Sequence, residues 1–380
     1  MKVCMISSSF LPTIGGLQFQ VKWLAEELAN RGIEIYLLSY SDGEKFIDIQ
    51  KSGFPKFINM NDRNSFLRFI KLYKIIREIS PDILHIHMAE MIAFEISVLK
   101  TFGFIKLPFL ITSHGMDIMV DKEINYGFRL KLINSLAIKY MLSKSSRHVI
   151  VGKSMRRFAL DAGSKSNKIL EINNGIPTRK NVSPDALNEV KHKYQIFPNE
   201  NILLSLSGLR PLKGLEYLFR AMPIILGKCP NTRLLLACKG RGYEKYLRDL
   251  VKKLGIEKNV NFIDFIQGEE KYALIKLCDV FCKPSLLEAC SVAILEAMQQ
   301  GKVVVASVPG GRDIITHDRN GLLTKPKDVS DIAEKIIKIL TDRNLKARIE
   351  RQAEEDVKKF AIQKTAQEYI SLYYEVCKKR

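Results

Sequence analysis

The sequence lacks the features that would place it among membrane-spanning, secreted or disulfide-rich proteins. No run of about 18 apolar residues occurs, the length at which a helix can span a bilayer. The opening MKVCMISSSF is too short and too weakly charged for a secretory signal. Its seven cysteines have no paired spacing, so neither a disulfide framework nor a zinc site is indicated. We therefore expect a cytoplasmic protein with reduced thiols, most of them small core residues.

Acidic residues are also few relative to basic ones. The sequence has 41 Asp and Glu and 60 Lys and Arg, which gives a formal net charge of +19. The excess is concentrated in residues 51–180, which hold 22 basic and 10 acidic residues. Such a surface suits nucleic acid, an anionic membrane or a phosphorylated substrate, although a merely solvated basic surface explains it equally well. No zinc finger, RNA-binding aromatic pair or basic-region helix occurs, so nucleic acid is the weakest of these partners.

Short apolar runs rich in Ile, Val and Leu alternate with amphipathic stretches along most of the chain. This pattern predicts parallel sheets covered by helices on both faces. Around residues 175–200 it breaks into a segment rich in Pro, Asn and charge, in which we predict a linker near residues 177–183, and then it resumes. We therefore predict an α/β fold of two doubly wound, Rossmann-like domains facing a central cleft. They would span residues 1–178 and 179–355, followed by a C-terminal helix over 356–380.

In the first domain, two turns that follow predicted strands are candidate ligand sites, since ligands of open α/β sheets bind where strands end. Gly15 and Gly16 precede a helix and could admit an anion, although an ordinary loop explains them as well and GxGxxG is absent. His114 and Asp117 follow the strand PFLIT, where a structural histidine is the alternative. His85 and His87 alternate on one strand face, and packing explains both better than metal binding.

In the second domain, Arg210 and Lys213 lie between the strand ending LSLSG and a helix that begins near Gly214. Two cations at a helix N-terminus are unfavourable with the helix dipole unless an anion binds there. We therefore predict a pyrophosphate site. The Gly-Gly of ASVPGGRDII, residues 306–315, suggests a further phosphate-facing turn with Asp313 behind it.

The stretch EACSVAILE places two carboxylates among apolar neighbours, and buried carboxylates require partners. We predict that a helix starts at Ser291–Val292, so that the amides of Cys290, Ser291 and Val292 point at a ligand. Glu288 and Glu296 could then accept hydrogen bonds from vicinal sugar hydroxyls, holding both sugars of a nucleotide-sugar. Two solvent-facing glutamates are hard to reconcile with these neighbours.

Taken together, these stretches resemble the retaining GT-B glycosyltransferases called group 1, or family 4, over nearly the whole chain and most specifically over residues 205–325. The N-terminal Gly-Gly loop, the R-x-x-K-G element at Arg210–Gly214, the E-x7-E motif and the segment NNGIP all match. The chain departs from the family at Cys290 and Ser291, where Phe-Gly is usual, and at GGRDI, with Asp313 at or near the acidic position. These differences concern residues that would contact the donor sugar. The first domain, which the resemblance implies is the acceptor-binding domain, matches the family least between about residues 40 and 150.

The resemblance implies roles for the matching residues. Arg210 and Lys213 would stabilise the departing nucleoside diphosphate, and Glu296 would bind the ribose hydroxyls. Glu288 and the adjacent amides would hold the donor sugar, with His114 near the reacting centre. No metal or cofactor is implied, which fits the absence of a D-x-D motif. The C-terminal helix would cross back onto the first domain.

Three functional hypotheses remain at this point. The first is a transferase that uses a UDP- or GDP-linked sugar to build a cell-surface polysaccharide or glycolipid, peripheral on the cytoplasmic face of an anionic membrane. The second is a nucleotide-sugar epimerase or a glycan phosphorylase on the same scaffold. The third is a non-catalytic sugar- or lipid-binding protein, which would have little reason to keep both cations and both glutamates.

Overall fold

The structure is a computed structural model that describes residues 1–11, 13, 15–40, 56–60, 65–178, 181–239 and 242–378. Residues 179 and 180 of the predicted linker lie outside these ranges. The chain divides into two compact units: unit 1 comprises Met1–Pro177 with Phe360–Arg380, and unit 2 comprises Thr178–Lys359. The sequence predicts that the domains end at residues 178 and 355, and in the structure the corresponding boundaries follow Pro177 and Lys359.

In the described part of unit 1, seven parallel strands form one sheet in the order β3-β2-β1-β4-β5-β6-β7. Strands β4 and β5 are buried along their whole length, as expected for a parallel sheet covered on both faces. The strands are β1 (Lys2–Ser7), β2 (Glu34–Ser39), β3 (Phe57–Asn59), β4 (Ile83–His87), β5 (Phe109–Ser113), β6 (Arg147–Ile150) and β7 (Ile169–Glu171).

Helices of unit 1 connect these strands, and the last helix of the chain joins them. They are α1 (Gly16–Asn30), α2 (Ser65–Ile79), α3 (Met91–Thr101), α4 (Leu132–Lys144), α5 (Arg156–Asp161) and α14 (Ile362–Lys378). Helix α14 packs on α1 and buries Tyr369 and Tyr373 in the core of the unit. The C-terminal helix is therefore part of unit 1.

Unit 2 holds a second parallel sheet in the order β10-β9-β8-β11-β12-β13. Its strands are β8 (Asn201–Gly208), β9 (Thr232–Lys239), β10 (Val260–Ile263), β11 (Val280–Lys283), β12 (Val303–Ser307) and β13 (Leu322–Thr324). Its helices are α6 (Pro184–Lys193), α7 (Leu215–Lys228), α8 (Glu244–Lys253), α9 (Gly268–Leu277), α10 (Val292–Gln299), α11 (Val308–Gly311), α12 (Val329–Thr341) and α13 (Arg343–Asp356).

Both sheets reverse their strand order at an internal position, between β1 and β4 in unit 1 and between β8 and β11 in unit 2. A crevice opens at such a switch point because the connections on either side leave in opposite directions. The loops after β8 and β11 carry Arg210 and Glu288, and the loops after β1 and β4 carry Gly15 and Glu90. The predicted doubly wound α/β class is confirmed.

Candidate active site

In unit 2, the loops that follow β8 and β11 are locked together at Gly214. This glycine has a φ of +61°, and a Cβ atom there would lie 2.1 Å from the carbonyl oxygen of Pro284. The Leu286 amide also donates to the Leu212 carbonyl oxygen at 2.8 Å. Only glycine permits this approach without a shift of backbone. It fixes Lys213, one residue earlier, beside the loop that carries Glu288.

Glu288 is held by two lysines and one serine. Its Oε2 accepts a hydrogen bond from Lys213 Nζ at 2.8 Å and one from Ser285 Oγ at 3.3 Å. Lys283 Nζ lies 3.6 Å from the same oxygen. Although burial opposes ionisation, the charges of Lys213 and Lys283 lower the pKa of Glu288 to about 2. Glu288 is therefore a carboxylate at neutral pH.

Lys283 is the last residue of β11 and is 5% exposed. Burial, with the positive charge of Lys213 in second place, lowers the pKa of its ammonium group to about 8, although Glu288 opposes the shift. A buried lysine is rare unless it is paired. Here one carboxylate is shared by two ammonium groups, so the cluster carries more positive than negative charge.

Arg210 adds to that positive charge. It precedes the 3₁₀ turn Pro211–Lys213 and is exposed, and its charge contributes to the lowered pKa of Lys283. Among the residues that the structure describes, its guanidinium group forms no hydrogen bond or ion pair, and only its backbone is hydrogen-bonded. The sequence places Arg210 and Lys213 together correctly, but not the pairing of Lys213 with Glu288.

Helix α10 begins at Val292, as predicted, with Ser291 at its N-cap and no side-chain cap. The first-turn amides of a helix lack intrahelical partners and carry partial positive charge. Ser291 and Cys290 are buried and Val292 is half-buried. An uncapped helix N-terminus therefore lies directly after the loop of Glu288, where an anion or a sugar hydroxyl could accept from it.

Glu296 lies one turn into α10 and is 5% exposed. Its Oε1 accepts from Lys271 Nζ at 2.5 Å and from Tyr272 Oη at 3.3 Å, both on α9. Both of these bonds fall on Oε1; within the described ranges, none is recorded for Oε2. The interpretation of Glu296 as solvent-facing is therefore excluded, and one carboxylate oxygen is left for a ligand hydroxyl.

The Gly-Gly turn at residues 310–311 is closely packed. Both glycines are buried, and the Gly310 amide donates to Ser307 Oγ, which caps the short helix α11. A Cβ at Gly310 would lie 3.1 Å from the Lys283 carbonyl oxygen. Close packing against β11 and β12 therefore accounts for the two glycines, and contact of this turn with a phosphate stays a prediction. Asp313 behind it is half-buried.

In unit 1, His114 directly follows β5 and its ring stacks on that of His87 at the end of β4. Their Nε2 and Nδ1 atoms are 3.1 Å apart, and the centroids of His85 and His87 are 4.2 Å apart. Burial lowers the pKa of His114 to about 3 and that of His85 to about 3. The rings are therefore neutral at neutral pH.

His85 has a structural role, as its position on the strand suggested. It is fully buried, with its ring nitrogens 2.7 Å from Tyr373 Oη and 2.8 Å from Thr112 Oγ1. His87 differs, because its buried Nε2 has no hydrogen-bond partner among the described residues. The next residue, Met88, has a φ of +75°. Left-handed backbone is strained for a residue with a side chain and is often found beside functional sites.

Asp117 supports the loop that carries His114 and presents no surface of its own. It is 0% exposed, and its carboxylate accepts hydrogen bonds from Ser113 Oγ at 2.6 Å, from the Ala89 amide at 3.1 Å and from the Gly115 amide at 3.2 Å. Burial nevertheless raises its pKa. Direct contact of Asp117 with a donor remains a prediction, and the geometry favours a positioning role.

The Gly15-Gly16 turn lies at the start of α1, which has no side-chain cap either. Gly15 is extended, and a Cβ there would lie 2.7 Å from Gln18 Oε1. Gln18 in turn donates to Ser9 Oγ at 2.9 Å. The turn therefore exposes Gly16 at an open helix N-terminus, and its contact with a donor remains a prediction.

Two further observations concern what the described residues do not form. No helix among them is long and apolar enough to span a membrane. Within the same residues, no three His, Cys, Asp or Glu side chains converge as metal ligands would. None of the seven cysteines, all of which lie in the described ranges, forms a disulfide bond.

Family models match both halves of the chain. The model for glycosyl transferases group 1 matches residues 188–356, and that for glycosyltransferase family 4 matches residues 14–180. The chain belongs to the group 1 glycosyltransferases. The residues of the site in unit 2 all lie in the first of these ranges, and His114 and Asp117 lie in the second.

Relatives and solved structures agree with the family. An uncharacterized glycosyltransferase of Methanocaldococcus jannaschii is 28% identical to this glycosyltransferase, with 98% of each chain covered. A phosphatidyl-myo-inositol mannosyltransferase of Mycolicibacterium smegmatis is 27% identical, over 95% of this chain and 90% of that protein. The structure of HepE from Anabaena with UDP and glucose has a TM-score of 0.83 at 20% identity, covering 99% and 100% of the two chains. At that identity the likeness shows the GT-B fold.

Sequence reasoning missed the internal partners of both glutamates. Lys283 lies in the apolar strand VFCK, and a charged residue at the end of a buried strand is itself a signal that could have been followed. Lys271 gave no such signal, because it lies in the polar helix GEEKYALIKL and meets Glu296 only through the packing of α9 on α10.

Proposed function

We propose that this glycosyltransferase moves a sugar from a UDP- or GDP-linked donor to a glycan or lipid-linked acceptor, with retention of the anomeric configuration. The observation that carries the proposal is the cluster of Arg210, Lys213, Lys283 and Glu288 at the switch point of unit 2. It holds three basic groups around one carboxylate. A diphosphate would supply the negative charge that this cluster lacks.

The chemistry follows from the charge that the leaving group acquires. As the sugar–phosphate bond breaks, negative charge accumulates on the nucleoside diphosphate, and preorganised cations stabilise that charge most strongly in a partly desolvated site. Lys213 can turn from Glu288 to the diphosphate while Lys283 remains near the same carboxylate. Arg210, which has no ion-pair partner among the described residues, can bind directly. Because these cations would stabilise the leaving group as a metal ion could, we propose a metal-independent reaction.

The donor would be held by groups on α10 and its preceding loop. Glu288 and the amides of Cys290, Ser291 and Val292 would contact the sugar. Oε2 of Glu296 would accept from the ribose, with the hydrogen bond from Lys271 to Oε1 holding the carboxylate in place. UDP and glucose bound in HepE support a donor of this class.

His114 is proposed to face the sugar near the reacting centre. Its lowered pKa keeps the ring neutral, so that it can donate or accept a hydrogen bond without adding positive charge. Gly15 and Gly16 would admit the donor at the start of α1, and Asp117 would hold the loop of His114.

We further propose that the acceptor belongs to cell-surface polysaccharide or glycolipid synthesis and that the protein works at the cytoplasmic face of a membrane. The net charge of +19 supports attraction to anionic lipid. The name of the mycobacterial relative contains a lipid, phosphatidyl-myo-inositol, which supports a lipid-linked acceptor.

Release of nucleoside diphosphate from a panel of UDP- and GDP-sugars, with and without lipid and glycan acceptors, tests the proposal. The variant Arg210→Ala should lower release by roughly a hundredfold, the usual effect of removing one donor to transition-state charge. Arg248→Ala, a change at an exposed arginine of α8 paired with Glu244, is the matched control and should have no effect. Excess EDTA should leave the rate unchanged.

Two results would contradict the proposal. One is release that Arg210→Ala leaves intact. The other is a different reaction type. A requirement for orthophosphate would indicate a phosphorylase, and conversion of the donor sugar without release of the nucleotide would indicate an epimerase.

A further inference from the structure

Helix α4 of unit 1 is apolar on both of its faces. Its inner side buries Ile138, Met141 and Leu142, as a surface helix should. Its outer side exposes Leu132, Ile133 and Leu136, at 76%, 74% and 60%. Single exposed apolar residues are common, but three of them within five positions of one helix form a patch.

Helix α3 extends this patch. Met91 and Phe94 are 58% and 37% exposed and lie in the first two turns of α3. The rings of Phe94 and Tyr140 are 5.8 Å apart, and Tyr140 Oη also donates to the Ser97 carbonyl oxygen. The two helices are thus packed side by side. We call the five residues Met91, Phe94, Leu132, Ile133 and Leu136 the α3/α4 face.

The chain around the α3/α4 face is mainly basic, although Glu90 directly precedes α3 and the exposed Asp161 ends α5. The 37 residues from Ile124 to Leu160 contain eight Lys and Arg and no Asp or Glu. Lys131 and Lys139 are exposed at and near the ends of the apolar stretch of α4, and Arg156 and Arg157 are exposed on α5. The one carboxylate on α3, Glu95, is buried and paired with Arg68 at 3.0 Å.

We propose that the α3/α4 face docks on the surface of an anionic lipid bilayer. Apolar side chains surrounded by lysine and arginine are the composition of helices that lie in the headgroup region, where the apolar groups enter the acyl boundary and the cations meet lipid phosphates. A second copy of this chain is a poorer partner, because two faces of the same positive charge repel. No helix needs to span the membrane for this mode of binding.

The α3/α4 face lies at the same edge of the sheet as the candidate site residues of unit 1. Helix α3 starts four residues after β4 ends, and α4 follows the loop that leaves β5. The exposed residues lie in the first turns of both helices, at the edge of the sheet where His87 and His114 are found. Docking would bring that edge of unit 1 to the bilayer, where a lipid-linked acceptor is held.

Sedimentation with lipid vesicles tests the docking without any donor or catalysis, so its outcome is independent of the proposed transferase activity. The purified protein should bind vesicles that contain phosphatidylglycerol and should bind pure phosphatidylcholine far more weakly. The double variant Leu132→Gln/Ile133→Gln should bind about tenfold more weakly, because its apolar contacts are lost. Phe197→Gln, a change at a residue of unit 2 that is 59% exposed, is the matched control.

The contribution of charge is tested separately. Lys131→Gln/Lys139→Gln should weaken binding by about twenty-five-fold, since each cation near an anionic surface contributes about fivefold. The exposed lysines of α8 supply the control, Lys252→Gln/Lys253→Gln, which should retain wild-type binding. The fluorescence of Trp23, the one tryptophan of the sequence, verifies that unit 1 is folded in every variant.

The proposal is overturned if the protein does not bind anionic vesicles, or if the variants of the α3/α4 face bind these vesicles as tightly as the wild type does. It is also overturned if the protein self-associates in solution and Leu132→Gln/Ile133→Gln abolishes that association with no effect on vesicles. The face would then be an interface between copies.

Discussion

Lys213 donates a hydrogen bond to Glu288 at 2.8 Å, and thereby joins two loops that leave neighbouring strands of the second sheet. Lys213 follows β8 and Glu288 follows β11, the two strands at which the strand order reverses. The ion pair neutralises both charges, and both side chains are largely buried. A diphosphate that binds Lys213 would remove the cation that is paired with Glu288. Lys283 is the residue that can then pair with this carboxylate.

Lys283 should therefore determine the alkaline limit of activity. Its pKa is lowered to about 8, so its positive charge is present below that pH and lost as the pH rises through it. We expect kcat/KM of the wild type to fall above pH 8. Lys283→Met should lower kcat/KM by at least about tenfold at pH 7, because a charge close to the diphosphate is lost, and it should remove the alkaline decline.

The arginine variant and stability measurements separate this role from a structural one. Lys283→Arg keeps the charge and should restore much of the activity, with the alkaline limit moved upward. Because the folded-state pKa lies below the ordinary value of 10.5, the unfolded state binds more protons between pH 8 and 10.5, and stability rises with pH in that window. Lys283→Met should thus melt no lower than the wild type at pH 7. An unchanged pH profile in this variant would exclude the assigned role.

Gly214→Ala should damage unit 2 through steric overlap. The added Cβ would lie 2.1 Å from the Pro284 carbonyl oxygen, so the loops after β8 and β11 must separate. Gly255→Ala is the matched control, since Gly255 has a similar φ of +67° but no atom within 4 Å of an added Cβ. Both variants carry the backbone cost, about 1 kcal/mol.

Chemical denaturation measures the difference between the two glycine variants. We expect Gly214→Ala to lose roughly 2 kcal/mol more of the free energy of unfolding than Gly255→Ala, a typical cost of steric strain. It should also lose nucleotide binding. Equal losses in the two variants would mean that the contact between the loops is not required.

Unit 1 should be unusually sensitive to acid. His85, His87 and His148 are almost fully buried, and burial lowers the pKa of each well below 6.5. In the unfolded chain these histidines bind protons below pH 6.5, whereas in the folded protein they stay unprotonated. The free energy of unfolding therefore falls as the pH falls from 6.5 toward 4. Together with His114, whose pKa burial lowers to about 3, these groups correspond to about 5 kcal/mol per pH unit.

Urea titrations followed by Trp23 fluorescence check this slope between pH 6 and 5. His148→Gln should reduce it by about 1.4 kcal/mol per pH unit, since one protonating group is removed. His192→Gln, a change at an exposed histidine of α6, should leave it unaltered. A flat stability profile over this range would show that the buried rings accept protons in the folded state.

The order of strands and helices could be predicted from the sequence because both signals are local. Apolar runs such as VVVAS become buried strands, and α10 begins at Val292 where small polar residues give way to an apolar helical pattern. Parallel strands then bring their following loops to one edge, so Arg210 and Glu288 could be assigned to one region before the fold was known.

What could not be predicted depends on contacts between distant segments. The pairing of Glu296 with Lys271 joins α10 to α9, and no periodicity indicates which lysine of a polar helix turns inward. The close packing of Gly310 and Gly311 could not be predicted for a related reason, because a Gly-Gly sequence is compatible with both close packing and ligand approach. The environment of Asp117 was hidden in part, since its partner Ala89 lies in the loop after β4, whereas Ser113 and Gly115 are local partners.

Isothermal titration of UDP and GDP against the wild type, Glu296→Gln and Glu95→Gln tests the central claim that unit 2 holds the donor nucleotide. Glu95 is the matched control: it is buried to 6% exposure and paired with Arg68, as Glu296 is with Lys271, but it lies in unit 1. We expect one nucleotide to bind the wild type and Glu95→Gln alike and to bind Glu296→Gln about tenfold more weakly, through loss of a hydrogen bond to a charged acceptor. Wild-type affinity in Glu296→Gln, or binding of neither nucleotide, would contradict the assignment.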